Sequence, residues 1–212
     1  GVDRINVSLD TLIPEKFQFI TNGGNLNQVL DGLFEAKKHN IKIKINTVLL
    51  KQFNEDEINN MVLWCHENDF KQSFIEVMPV GEVNTSRTNQ FLPISFVKSL
   101  IKENLGLESL SLSTNGPSKY FKTKLGNIIG FISPLTDNFC ESCNRIRVTS
   151  NGMLYPCLGD NGSVNLKNSL HKSDSEIIKI IQNSIYNKPE KHFFNIKDKA
   201  YVQDRFMNTT GG

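Results

Sequence analysis

The chain lacks an apolar run approaching the roughly 20 residues that span a bilayer, so no membrane partner is expected. It lacks a basic-then-apolar leader, opening instead on Gly1-Val2-Asp3-Arg4. It also lacks a charge excess. The net charge is +2, from 24 Lys and Arg against 22 Asp and Glu, which is too balanced to argue for a nucleic acid partner. No internal repeat or low-complexity tract breaks the sequence. Arginine is scarce: Arg4, Arg87, Arg145, Arg147 and Arg205 stand among many lysines. What remains is ordinary for a globular protein, with 38% hydrophobic and 22% charged residues over 212 positions. A chain of this length buries enough surface to fold without disulfides. There is no opening Met, and a strand begins almost at once. A parallel strand needs neighbours, so the chain reads as the C-terminal part of a longer protein.

Asp3 to Leu9 alternates Ile5, Val7 and Leu9 with polar residues, at strand period. A short helix follows Pro14 to about Ile20, and Gly23-Gly24 breaks it. Leu26, Val29, Leu30, Leu33 and Phe34 then mark an amphipathic helix ending near Asn40. Ile41 to Leu50 reads as a strand. Asn54 with Glu57 predicts a helix N-terminal cap, and Ile58, Met61, Val62 and Cys65 predict one helical face. Phe74 to Met78 is a further strand, closed by Pro79 and Gly81. The order β, α, β, α, β implies parallel pairing, as in a barrel or an open α/β sheet.

The pattern changes after residue 85. Residues 82–92 read as loop, and Pro93 opens a helix to about Asn104. Short strands are expected at 107–113, 119–123, 127–133, 145–149 and 153–156. Asn151-Gly152 is a hairpin turn signal between the last two. A helix is expected from Ser173 to Tyr186.

Cys65 falls on an apolar helical face and reads as a buried structural thiol. Cys140, Cys143 and Cys157 differ. The first two form a C-x-x-C pair in a loop, and a strand–turn–strand folds the third back beside them. Three thiols without a secretory signal fit a disulfide poorly. A redox C-x-x-C sits at a helix N-terminus, and this one precedes a strand. Metal binding is the better reading. Structural zinc requires a fourth ligand, from Cys65, His39, His66, His171 or His192, none of them at finger-like spacing. An iron–sulfur cluster on three Cys would leave one iron open to substrate. Arg145 and Arg147 follow directly. On a strand they share a face, and two planar forks beside a metal site suit a polyphosphate.

The run Cys140-x-x-Cys143-Asn144-Arg145-x-Arg147-x-Thr149-x-x-Gly152-x-x-x-x-Cys157-Leu158 resembles the radical S-adenosylmethionine GTP 3′,8-cyclases of molybdenum cofactor biosynthesis. Asp3 to Asp10, Lys42 to Asn46, Phe74 to Gly81 and the terminal Met207 to Gly212 are similar to the same family, so the resemblance covers nearly the whole chain. It implies an α/β fold: the C-terminal part of an incomplete (βα)6 TIM-like barrel in residues 1–85, then a mixed α+β region in 86–212 carrying an auxiliary [4Fe–4S] cluster. By resemblance Cys140, Cys143 and Cys157 hold that cluster, whose open iron takes GTP. Arg145, Ile146, Arg147 and Lys44 contact GTP, Ser8 and Met78 line the S-adenosylmethionine pocket, and Gly211 and Gly212 form a tail entering the active site. A lyase reaction is implied, in which a 5′-deoxyadenosyl radical takes hydrogen from C3′ of GTP and C3′ joins C8. The implied partners are an electron donor such as flavodoxin, cyclic pyranopterin monophosphate synthase downstream and a second copy in a homodimer, in the cytoplasm.

Two positions depart from that pattern. The family's C-x-x-x-C-x-x-C motif, which holds the cluster that cleaves S-adenosylmethionine, is not in this sequence, so the chain alone is expected to be inactive. Many members carry Arg before the Phe-Ile-Glu strand, where this chain has Ser73. The competing reading is a zinc-stabilised binding module without catalysis. Barrel strands beyond this chain would leave a sheet edge open, predicting marginal stability in isolation.

Overall fold

A computed structural model describes residues 1–81, 87–114, 116–196, 205 and 207–210. The chain packs as two units. The first comprises Gly1–Val77 with Asn89–Asp137, and the second Met78–Thr88 with Asn138–Gly212. Residues 89–137 thus join the first unit, although the sequence pattern changes near residue 85.

The first unit is an α/β sheet. Its strands are β1 (Arg4–Ser8), β2 (Lys42–Leu49), β3 (Lys71–Glu76), β4 (Glu108–Leu110), β5 (Lys119–Lys122) and β6 (Ile128–Ile132). They run in the order β1-β2-β3-β6-β5-β4. β1, β2, β3 and β6 pair in parallel, and β5 and β4 extend the sheet antiparallel. The helices are α1 (Pro14–Ile20), α2 (Leu26–Lys38), α3 (Ile58–Glu67), the single turn α4 (Arg87–Gln90) and α5 (Ile94–Leu105). α4 lies within the stretch expected to be loop.

Alternation decides which sheet face meets the helices. Ile43, Ile45 and Leu49 of β2, Phe74 of β3, and Ile129 and Phe131 of β6 are all buried. They join two apolar clusters. One gathers Ile58 and Val62 of α3 with Val97 and Ile101 of α5. The other gathers Met61 and Cys65 of α3 with Phe17, Leu26 and Leu33. α3 therefore serves both clusters. Burial pushes the Cys65 thiol up to about 12, as expected of a structural cysteine.

Two polar residues expected at a helix cap serve the loops instead. Glu57 makes no side-chain cap bond. Its carboxylate accepts from Thr11 Oγ1 at 2.7 Å, Leu12 N at 3.0 Å and Lys16 Nζ at 2.9 Å. Asn54 accepts from Leu50 N and donates to the Asp10 and Val48 carbonyls. Loop N–H groups and Lys16 outcompete the helix end for these two side chains. Glu76 plays the same part at the end of β3. It is fully buried, and it accepts from Ile94 N at 3.4 Å, Leu135 N at 3.0 Å, Thr136 N at 3.1 Å and the Thr136 hydroxyl.

The second unit holds a three-stranded antiparallel sheet of β7 (Arg147–Val148), β8 (Met153–Tyr155) and β9 (Val164–Asn165), then α6 (Asp174–Tyr186). Gly152 has φ +83°, which the turn between β7 and β8 requires. α6 starts on a Ser173–Glu176 capping box. Two strand expectations are corrected here. The strand through 145–149 contains only Arg147 and Val148, so Arg145 does not share a strand face with Arg147. β3 begins at Lys71 and ends at Glu76, so Met78 lies in the turn beyond it, where its carbonyl accepts from Val80 N.

Candidate functional site

In the second unit the cysteine loop turns tightly, with Cys143 N donating to the Cys140 carbonyl at 3.1 Å. β8 delivers Cys157 at its C-terminal end. All three thiols are free, and each sulfur accepts a donor. His192 N reaches Cys140 Sγ at 3.5 Å, Lys188 Nζ reaches Cys143 Sγ at 3.3 Å, and Gly159 N–H donates to Cys157. Burial pushes the Cys157 thiol up and that N–H opposes it; Cys140 and Asp160 also raise it, and Lys188 lowers it. Cys157 thus lies within electrostatic reach of Cys140. Among the described residues no three His, Cys, Asp or Glu side chains close around a single metal ion.

The arginines stand in the same neighbourhood. Burial draws Arg147 below its ordinary value, Arg145 and Arg205 act in the same direction, and Cys143 and Cys157 oppose them. Ile146 between the pair is 41% exposed. Arg205 donates to the Leu158 and Asp160 carbonyls at 3.0 and 2.8 Å and lies 4.0 Å over the Tyr155 ring. Lys188 is the hub. Besides Cys143 Sγ, its ammonium donates to the Cys143 carbonyl at 2.8 Å and to the Arg145 carbonyl at 2.9 Å. It fixes the backbone between the C-x-x-C pair and the arginines. Sequence reading missed both Lys188 and Arg205. Their partners are remote in the chain, and no spacing pattern announces them.

Ser8 and Lys44 belong to the first unit and Met78 to the second. Ser8 is exposed at the end of β1 and stands opposite Asn46. Lys44 lies on the β2 face away from the helices, opposite Asn6 and Lys71. Asp10, just past Ser8, accepts from Val48 N at 2.7 Å. Burial pushes its carboxyl up to about 6 against that bond. Gly211 and Gly212 lie outside the described residues. No described helix is long and apolar enough to cross a membrane.

The parallel sheet and its helices set the class: residues 1–65 match the family model of the Radical SAM superfamily. Residues 70–194, which include the cysteines and arginines, match Molybdenum Cofactor Synthesis C, and the chain belongs to that family. Among curated relatives it is 44% identical over 218 residues to proteins named GTP 3′,8-cyclase from Brucella ovis, Brucella canis and Brucella abortus. The alignment covers 100% of this chain and 63% of each relative's length.

Proposed function

We propose that this chain is the part of a GTP 3′,8-cyclase of molybdenum cofactor biosynthesis that binds GTP at an auxiliary [4Fe–4S] cluster. In this reading residues 1–85 belong to an incomplete radical S-adenosylmethionine barrel, and residues 86–212 form the cluster-bearing region. The observation that carries it is the convergence of three free thiols, each with a donor on its sulfur, beside Arg145 and Arg147. Hydrogen bonds to the sulfurs are what an iron–sulfur site uses to set its potential.

Cys140, Cys143 and Cys157 would hold the cluster as thiolates. When bound, such a cluster with only three thiolates offers an open iron that takes a substrate nitrogen or oxygen. The other roles fall to the chain's own side chains. Arg145 and Arg147, with the Ile146 backbone between them, would neutralise the triphosphate. Lys44 would add a cation from the sheet. Ser8 and Met78 would contact S-adenosylmethionine, whose cleavage belongs to a first cluster that these residues do not hold. The Gly211-Gly212 tail would complete the pocket. Positioning and charge are the protein's share in such cofactor chemistry. The overall reaction is the radical cyclisation of GTP to (8S)-3′,8-cyclo-7,8-dihydroguanosine 5′-triphosphate. An electron donor such as flavodoxin, a downstream cyclic pyranopterin monophosphate synthase, a homodimer and a cytoplasmic setting complete the reading.

Anaerobic iron, sulfide and zinc analysis of the reconstituted protein tests it, set against the variant with all three cysteines replaced by Ser. A difference of about four iron and four sulfide between the two, with an electron paramagnetic resonance signal that shifts on adding GTP, is the expected result. Stoichiometric zinc without sulfide would sink the reading and leave a metal-stabilised binding module.

A further inference from the structure

In the second unit the chain leaves α6 at a proline. Lys188 precedes Pro189, and a residue before proline is driven to extended backbone, so the helix stops at Tyr186. Residues 188–194 carry no regular structure and run alongside the thiols. Lys188 reaches Cys143 Sγ, His192 N reaches Cys140 Sγ at 3.5 Å, and Phe193 N donates to the Gly159 carbonyl at 3.2 Å. The His192 ring turns to Phe194. Its Nδ1 accepts from Phe194 N at 3.2 Å, and the two ring centroids are 4.7 Å apart.

Gly159 makes this approach possible. A Cβ there would stand 2.6 Å from His192 Cβ and 3.2 Å from the Phe194 ring, so any side chain pushes the segment away from the thiols. The Gly159 N–H is itself the donor on Cys157. That N–H shares a peptide plane with the Leu158 carbonyl. The peptide is trans, so the two groups point in opposite directions. Arg205 donates to the Leu158 carbonyl at 3.0 Å and to the Asp160 carbonyl at 2.8 Å. One fork thus fixes the tilt of the plane and, with it, the aim of the Gly159 N–H at the sulfur. A cation on the carbonyl also polarises the peptide and strengthens its N–H as a donor.

We propose that Gly159 and Arg205 are positioning residues that act through the backbone to set the reduction potential of the group held by Cys140, Cys143 and Cys157. Arg205 aims the donor on Cys157, and Gly159 admits the donor on Cys140. The reduced form of a cluster carries the greater negative charge, so each N–H on a sulfur favours reduction. The proposal rests on the [4Fe–4S] reading and adds two residues which that reading does not contain. Both act from outside the ligand set, as residues that orient metal ligands commonly do.

Redox titration of the reconstituted protein, followed by electron paramagnetic resonance, tests it on the cluster that the three-Ser variant lacks. Gly159→Ala is expected to keep its iron and sulfide and to make reduction about tenfold less favourable, a fall of about 59 mV for one electron. Adding His192→Gly removes the opposing Cβ and keeps the His192 N–H, so the double variant is expected to recover most of that fall. Arg205→Lys keeps the charge and loses the fork, and is expected to make reduction severalfold less favourable. Either single variant at the wild-type potential, with its cluster retained, overturns the assignment. A double variant no better than Gly159→Ala overturns the His192 contact as the cause. If Gly159→Ala loses its iron, Arg205→Lys decides: a lowered potential supports the assignment and an unchanged one overturns it. A wild-type protein that takes up no iron and sulfide overturns the cluster reading itself, whereas a wild-type cluster whose potential both variants leave unchanged overturns this inference alone.

Discussion

The two units are stabilised by different physics. Nearly every fully buried apolar side chain among the described residues belongs to the first unit; the second contributes Val80 and Leu154. Both units leave large apolar side chains exposed, Leu170 at 71% in the second and Phe19 at 79% in the first, so the difference lies in the buried core. A unit with so thin an apolar core needs another source of order. Its candidates are the Lys188 hub, the Arg205 contacts and whatever the three thiols hold. Small regions of this kind often fold only with their metal, because binding free energy becomes folding free energy. Burial supplies the order of the first unit, and the second draws on the Lys188 and Arg205 bonds.

The largest expected effect breaks the second unit alone. In the proposed reading, Cys157→Ser removes the cluster and, with it, amide protection across β7, β8 and β9, while β2 and β3 keep theirs. Structural metal sites couple to folding by about 10 kcal/mol in the best-studied small domains, so protection there should fall to that of an open chain. Hydrogen exchange of the two proteins decides it. Equal protection of β8 in both would mean that the second unit holds itself together without the group. The complementary break is Phe74→Ala. Phe74 is fully buried and stacks on Phe131 at 5.9 Å between ring centroids. Its loss should cost the first unit about 3–5 kcal/mol in urea unfolding and leave iron content unchanged.

The same contrast governs what the sequence disclosed. In the first unit apolar period follows the packing, and the spacing of Leu26, Val29, Leu30 and Leu33 places α2 to within two residues of its observed end at Lys38. Residue type singled out the cysteine trio, and the structure leaves all three thiols free. Hydrogen-bonding partners were not legible. Lys188 meets Cys143 across 45 residues and Glu76 meets Thr136 across 60, and neither leaves a local trace. Asn54 and Glu57 imitate a helix cap in sequence, yet they satisfy loop groups that only the fold brings near. The Arg145–Arg147 strand failed for the same reason, because Lys188 takes the Arg145 carbonyl that a ladder would need.

Asp10 sharpens the comparison from the first unit. Its carboxyl rises from 3.8 to about 6 on folding, which corresponds to about 3 kcal/mol at most. The folded state binds the proton more tightly than the unfolded chain does. The stabilisation is therefore complete below pH ~4 and is lost as pH climbs through ~6. Asp10→Asn should flatten that decline in urea midpoints measured between pH 4 and 7. A decline that survives in the variant would assign it to another group.

Lys188 gives the smallest effect and the finest test, because it belongs wholly to the second unit. One ammonium, half-buried, serves a sulfur and two carbonyls, and a charge-assisted bond contributes about 2 kcal/mol. Lys188→Met keeps the stem and removes the donors. It should lower the protection of the cysteine loop by about tenfold or more and leave the first unit unmoved. If the thiols hold a cluster, losing a cation beside Cys143 should also make it harder to reduce, since the reduced form carries the greater negative charge. Lys188→Arg should recover the potential before it recovers the loop, because a planar fork keeps the charge but cannot aim three donors at the same atoms. A potential unmoved in Lys188→Met, with protection lost as expected, would make Lys188 a structural brace only.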